Sequence, residues 1–249
     1  MINNKKGAPG MEKKLFVVTD IHGHYTLLKS ALDAAGFDPH CEDHLLICCG
    51  DYFDRGSENL EVLKFFERLQ NKVLLRGNHE DLLLKLMETG HILPNHITNG
   101  TLQTVEAFFG KYAIDPMTAT IDFSGKSRMA DRVCEFIEQT VDYFETEHYL
   151  FLHGWYPDGC ESEAERKQAS SEQWAKARWK KWIEHYTGTA PIPDKTIVCG
   201  HVPTQHAWKV DPNRSTDCPD TFYGNGIIAL DAGTCDSGQI NVLVLTEQI

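Results

Sequence analysis

An α/β fold with mixed strand directions (α/β, α+β mixed) is predicted by two features of this chain. Short apolar runs at residues 15–18, 45–49, 73–75, Tyr149–Leu152, Thr196–Cys199 and 227–230 are rich in β-branched and aliphatic residues and bounded by glycine. Runs of that length and composition read as strands buried on both faces. Stretches of helical periodicity separate the first three. Each run also leads into a polar residue with a glycine within three positions: Asp20, Asp51, Asn78, His153, His201 and Asp231. In sheets of this kind, ligands gather outside the strand carboxyl ends. Carboxylates, imidazoles and a carboxamide at such ends make an oxygen- and nitrogen-rich pocket suited to one or two divalent ions.

The elements follow in order. Tyr25–Ala35 reads as a helix, with Leu27, Leu28, Ala31, Leu32 and Ala35 at helical spacing. Residues 59–70 and 80–88 give two more helices. Residues 91–140 read as an inserted helical segment beside the active site. Asn99-Gly100 breaks the chain there, and residues 105–112 and 131–140 are helical. Residues 155–194 form a second insertion, charged and tryptophan-bearing, with a helix near 171–186. From Thr196 onward the chain is expected to be mostly strand. Residues 1–10 are polar and precede a second plausible start at Met11, which suggests a disordered leader or an expression remnant. Residues 11–249 are then expected to form one domain.

At 249 residues, the chain can bury one large core. It is 41% hydrophobic and 24% charged, an ordinary globular composition. A net charge of −12 argues against a nucleic-acid binder that relies on a broad basic face. It leaves room for a phosphorylated substrate, because bound metals and local arginine can reverse the sign at a site. Eight cysteines occur without CxxC spacing, which predicts reduced, mostly buried thiols in a cytoplasmic protein. No apolar stretch approaches the roughly 18 residues of a membrane span, and no membrane partner is expected.

The local motifs carry most information. Asp20-Ile21-His22-Gly23-His24 sets a carboxylate and an imidazole two residues apart as the backbone leaves a strand. Gly50-Asp51-Tyr52-Phe53-Asp54-Arg55-Gly56 adds a carboxylate and an Asp–Arg pair; Arg76-Gly77-Asn78-His79-Glu80, His153-Gly154 and Gly200-His201 follow. Together they resemble the calcineurin-like metallophosphoesterase superfamily, and the second and third motifs resemble its phosphoprotein-phosphatase branch, with its bacterial and phage serine/threonine phosphatases. The resemblance runs from about residue 15 to 245. It implies a four-layer αββα sandwich of two mixed sheets with helical insertions and metals at one edge.

The resemblance also implies roles. Asp20 and His22 would hold one metal, Asn78, His153 and His201 the other, and Asp51 would bridge. Hard carboxylates with imidazoles suit two Mn²⁺ ions, with Fe or Zn²⁺ as alternatives. Two such ions can share a hydroxide that attacks phosphorus in line. Arg55 would clamp the phosphoryl oxygens with Asn78 and His79 nearby, and His79 would protonate the leaving alkoxide with Asp54 orienting its imidazole. A second phosphate-binding arginine is expected after the His153 segment, and Arg178 is the candidate, although it could equally be an ordinary helix position.

Other positions are expected to be supporting. His24 and Glu80 read as structural, Asp231 as orienting a ligand histidine or capping a strand, and Trp155 as a pocket wall or a core residue. His40, His44, His91, His96, His148, His185 and His206 are expected at the surface. The substrate would be a phosphorylated protein, with a symmetrical diadenosine tetraphosphatase as the alternative reading. Asp54 and Glu80 favour the phosphatase, since tetraphosphatases typically depart from the pattern at those places. A non-catalytic phosphate-binding protein is disfavoured, because six retained ligands have no physical rationale without turnover.

Overall fold

The computed structural model describes residues 12–110, 114–115, 117–123 and 127–249. Its first strand shows why the apolar runs are continuous. In β1 (Glu12–Val18), Leu15 and Val17 pack into one core while Phe16 and Val18 pack into another. A strand buried on both faces cannot alternate apolar and polar residues. Each such side chain contributes roughly 1.5–3 kcal/mol relative to exposure.

The chain then runs through α1 (Tyr25–Ala35), β2 (His44–Cys48), α2 (Asn59–Arg68), β3 (Lys72–Leu74) and α3 (Asn78–Thr89). α1 buries Leu28 and Leu32 and ends at Gly36, whose φ of 79° is open to glycine at little cost. The expected first insertion contains α4 (Pro94–Thr98), α5 (Thr101–Phe109), the short pair β4 (Ile114–Asp115) and β5 (Thr120–Ile121), and α6 (Ser127–Glu138). β6 (Tyr143–Glu145) and β7 (Tyr149–Leu152) follow, then α7 (Glu163–Gln168), α8 (Ser171–Ala177), α9 (Trp182–His185) and β8 (Thr196–Cys199). The last part holds a 3₁₀ turn (Thr204–Lys209), β9 (Phe222–Gly224), β10 (Ile227–Ala229), α10 (Thr234–Ser237) and β11 (Leu243–Gln248).

Two mixed sheets result, ordered β11-β1-β2-β3 and β6-β7-β8-β10-β9. The β1–β2–β3 and β7–β8–β10 pairings are parallel, and β11, β6 and β9 add antiparallel edges. Leu15, Val17 and Ile47 of one sheet meet Phe151, Val198 and Ile228 of the other in a shared core. Helices α1, α2, α3, α5 and α6 cover the outer face of the first sheet. Trp174 of α8 and Trp182 of α9 cover the second. The four layers are therefore helix, sheet, sheet, helix, and the parallel strands of both sheets end at one edge.

Several expectations need correction. The helix expected over 171–186 is two helices, because residues 178–181 leave the helical path where the chain meets the turn after β7. Trp155 N–H donates to Ala177 O at 3.1 Å, and a Cβ on Gly154 would meet Arg178 O and Lys180 O at 2.6 Å. The region from Thr196 is not mostly strand, since the 3₁₀ turn, α10 and the loop between residues 210 and 221 occupy much of it. His96 is fully buried rather than at the surface: its Nδ1 accepts the Leu93 N–H at 3.0 Å at the start of α4. Trp155 is a core residue, stacked on Tyr156 and His185. Residues 1–10 and the end of the helix expected over 105–112 lie outside the described residues. No described helix is long and apolar enough to cross a membrane.

Candidate active site

Backbone hydrogen bonds lace together the loops leaving β1 and β2 and so fix the site. Asp20 N–H donates to Gly50 O at 3.1 Å, His22 N–H to Asp51 O at 3.0 Å and Gly23 N–H to Tyr52 O at 2.9 Å. Gly56 N–H returns to His22 O at 3.0 Å. Asp20, His22, Asp51, Asp54, Arg55 and His201 all sit at positive φ, between 46° and 72°. Only two other described non-glycine residues, Ala119 and Asp194, do so. Left-handed backbone costs about 1–2 kcal/mol per residue, so it persists only where surrounding bonds over-determine it. Its concentration here marks these loops as built for their side chains.

Glu80 is one of those bonds. Its Oε2 accepts the N–H groups of Gly77 at 2.8 Å and Asp51 at 3.0 Å, and its Oε1 accepts Tyr52 N–H at 3.0 Å. The fully buried carboxylate thus ties the loop after β3 to the loop after β2. Burial, then the charge of Asp51, push its pKa up to about 7 against the pull of those three donors. A Cβ on Gly77 would collide with Asp51 Oδ1, so glycine is required where these loops cross.

Histidine tautomers are set by the partners of Nδ1. His22 Nδ1 faces Phe53 O at 3.0 Å, His153 Nδ1 faces Cys49 O at 2.7 Å, and His79 Nδ1 faces Asp54 Oδ2 at 2.7 Å. A carbonyl only accepts, so Nδ1 of His22 and of His153 carries the proton and their Nε2 lone pairs point inward. There His22 Nε2 lies 3.7 Å from Asp51 Oδ2, and His153 Nε2 lies 3.4 Å from Asp51 Oδ1 and 2.8 Å from Asn78 Oδ1. His201 joins Asp51 and His153 in one cluster of donor atoms, all within 4.8 Å of one another. His22, Asp51 and His79 form a second cluster that shares Asp51.

This arrangement fits two cations. Burial, then neighbouring imidazoles, lower His22 well below its ordinary value and His201 to about 3, so both rings are neutral donors. Asp51 and Asp231 are raised, chiefly by burial and also by Asp20. Buried carboxylates packed this closely call for positive charge. Asp20 stands beside the first cluster: its Oδ2 accepts the Thr19 hydroxyl at 2.5 Å and the His201 N–H at 3.0 Å. Asp231 is engaged locally, accepting Gly233 N–H at 2.8 Å.

His79 has a more elaborate support than the sequence suggested. Asp54 also accepts the hydroxyls of Thr101 at 2.8 Å and Thr104 at 2.5 Å, and Thr104 Oγ1 accepts Asp54 N–H at 2.9 Å. The i, i+3 threonines face one way from α5; that spacing was the only signal for them. Burial opposes charge on His79, but Asp51 and Asp54 outweigh it and raise its pKa to about 9. Arg55 is exposed and reaches across both rings, with Nη1 at 3.0 Å from His22 Nε2 and Nη2 at 3.3 Å from His79 Nε2.

Arg178 is elsewhere, which corrects the expectation for it. Its guanidinium makes a two-pronged contact with Asp81, at 2.7 and 3.1 Å, and a third bond to Asp142 at 2.6 Å. With two carboxylates on it and its side chain buried, it joins α3 to the strand region before β6 rather than facing the metal clusters.

Comparison with known proteins agrees with this geometry. Residues 13–228 match the calcineurin-like phosphoesterase family. The chain is 32% identical over 174 residues to serine/threonine-protein phosphatase 2 of Salmonella typhimurium, covering 67% of this chain and 69% of that one. It is 39% identical over 93 residues to the symmetrical bis(5'-nucleosyl)-tetraphosphatase of Baumannia cicadellinicola, covering 37% and 31%. Several of the curated relatives are matched over only about a third of their length. A protein serine/threonine phosphatase of Saccharomyces cerevisiae shares the fold at a TM-score of 0.58 and 14% identity, over 95% of this chain and 80% of that one. With the match spanning most of the sequence and the donor clusters at its strand ends, the chain belongs to the calcineurin-like phosphoesterase family.

Proposed function

We propose that this phosphoesterase is a serine/threonine protein phosphatase that works with two divalent cations, Mn²⁺ foremost. Asp20, His22 and Asp51 would hold one ion, and Asp51, Asn78, His153 and His201 the other. The ions, when bound, supply an activated water and neutralise phosphoryl charge. Arg55 is exposed, holds His22 Nε2 at 3.0 Å and would turn its planar fork to two phosphoryl oxygens were that lone pair given to an ion. His79 delivers a proton from Nε2 to the leaving oxygen. Asp54, fixed by Thr101 and Thr104, holds the ring and keeps it protonated.

The observation that carries the reading is the Asp54–His79 pair at 2.7 Å. A serine or threonine alkoxide is a poor leaving group and needs a proton. Cleaving a dinucleoside tetraphosphate expels a nucleotide phosphate, which leaves without one. A buried acid with its own hydrogen-bonded support therefore favours an alcohol ester. Mn²⁺-loaded protein on a phosphoserine peptide and on diadenosine tetraphosphate tests this directly. The peptide is expected to have the larger kcat/KM, and a clear preference for the tetraphosphate would overturn the reading.

A further inference from the structure

A groove of about 340 Å³ opens from the His201 side of the site. Its apolar lining is Trp179, Ile183, Val202 and Pro203. Trp179 is 44% exposed and meets His201 edge-on, with ring centroids 6.1 Å apart. The groove therefore begins where a substrate phosphate would lie, and an exposed indole there lacks the cover that a core tryptophan has.

The same groove is lined by Lys181, His206 and Lys209, in a protein whose net charge is −12. Lys181 and Lys209 both lie close enough to lower the pKa of His206 between them, after burial, so the three face one space. Lys209 makes no ion pair among the described residues and lies 5.9 Å from the Trp208 ring. Lys181 contacts Glu184 at 3.3 Å through two exposed side chains, a pair worth little in water and easily exchanged. Lys181 and Lys209 thus offer two ammonium groups to an anion in a groove whose other lining is apolar.

We infer that this groove is a specificity subsite for the peptide flanking the phosphoresidue, and that it selects an apolar side chain on Trp179 and an acidic side chain between Lys181 and Lys209. Trp179 and His201 have ring centroids 6.1 Å apart and an extended chain advances roughly 3.3–3.6 Å per residue, so the apolar position lies about two residues from the phosphoserine, with the acidic position beside it along the groove. The single ring beside aliphatic Ile183, Val202 and Pro203 suits a side chain better than a stack of bases. The inference rests on the protein-phosphatase reading.

The test compares two phosphoserine peptides that differ only in carrying Glu and Leu, or Ala, at those flanking positions. Wild type is expected to prefer the acidic, apolar peptide by about three- to tenfold in kcat/KM, as for two exposed ion pairs. The preference should shrink as salt is raised. Lys181→Ala with Lys209→Ala should remove the acidic part, and Trp179→Ala the apolar part. Para-nitrophenyl phosphate, which has nothing to place in the groove, reports the metal site alone. Equal turnover of the two peptides by wild type, or a preference that neither the lysine pair nor Trp179→Ala diminishes, overturns the subsite and leaves the phosphatase reading standing. Turnover of para-nitrophenyl phosphate without either peptide overturns both. Loss of diadenosine tetraphosphate turnover in the variants, with the peptides unaffected, assigns the groove to a nucleotide and overturns the subsite.

Discussion

Asp54 Oδ2 lies 2.7 Å from His79 Nδ1, and the same carboxylate collects the hydroxyls of Thr101 and Thr104 from a helix 47 and 50 residues further along the chain. This places the control of one proton in the expected insertion as well as in the motif loops. Asp54→Asn should keep both metals while lowering kcat by roughly 10²–10⁴, the range for a disabled general acid. The loss should be smaller on para-nitrophenyl phosphate, whose leaving group needs little help. Steady-state kinetics on aryl and alkyl esters check it, and equal losses on both would remove the pair from proton transfer.

Arg55 spans His22 and His79 from an exposed position. If it binds the phosphoryl group, Arg55→Ala should weaken inhibition by inorganic phosphate about tenfold or more, with both KM and kcat affected. Arg55→Lys should recover only part, because an ammonium cannot make the planar two-bond contact. The melting temperature should stay close to that of wild type. A large stability loss with an unchanged phosphate Ki would mark Arg55 as structural.

Glu80→Gln should loosen the crossing of the two loops. A carboxamide has one accepting oxygen for the N–H groups of Asp51, Tyr52 and Gly77, so at least one buried donor is stranded. The cost is about 1–3 kcal/mol, or several degrees in melting temperature for a chain of this size. Calorimetry on the variant measures it, and a melting temperature equal to that of wild type would contradict the clamp.

His96 gives a pH signature away from the metals. Burial lowers its pKa in the folded protein, with Asp54 pulling weakly the other way. The unfolded chain therefore binds the proton more readily. The stability it contributes is complete above its unfolded pKa of about 6.5 and is lost as pH falls below that, by at most about 1.4 kcal/mol per pH unit. His96→Asn, whose Oδ1 takes the place of Nδ1, can keep the bond to Leu93 N–H without titrating, so its unfolding free energy should fall less than wild type's between pH 7 and 5. Parallel curves for the two proteins would refute this.

The strands and the motif residues were legible because each is local. β7 and β8 appear with the bounds read from their apolar runs, and α1 with the bounds read from its periodicity. Strands buried on both faces leave a signal that needs no knowledge of neighbours. What stayed hidden depends on partners far along the chain. Arg178 reads as a phosphate ligand or a surface residue until Asp81 and Asp142 are known to face it from 97 and 36 residues away. The break between α8 and α9 follows from Gly154, which the sequence of the helix does not contain. Left-handed backbone at Asp20, His22, Asp51, Asp54, Arg55 and His201 left no compositional mark, since glycine is the usual sign of it.

Asp51 would be shared by two metal sites. It lies in both clusters, with Oδ2 toward His22 and His79 and Oδ1 toward His153. Metal content per chain after Mn²⁺ loading and gel filtration, measured on wild type and Asp51→Asn, tests this most directly. Two ions are expected in wild type and at most one in the variant, with para-nitrophenyl phosphate turnover down by more than about 100-fold, beyond the loss typical of a group that merely supports a ligand. Two ions retained and near-normal turnover in Asp51→Asn would contradict it.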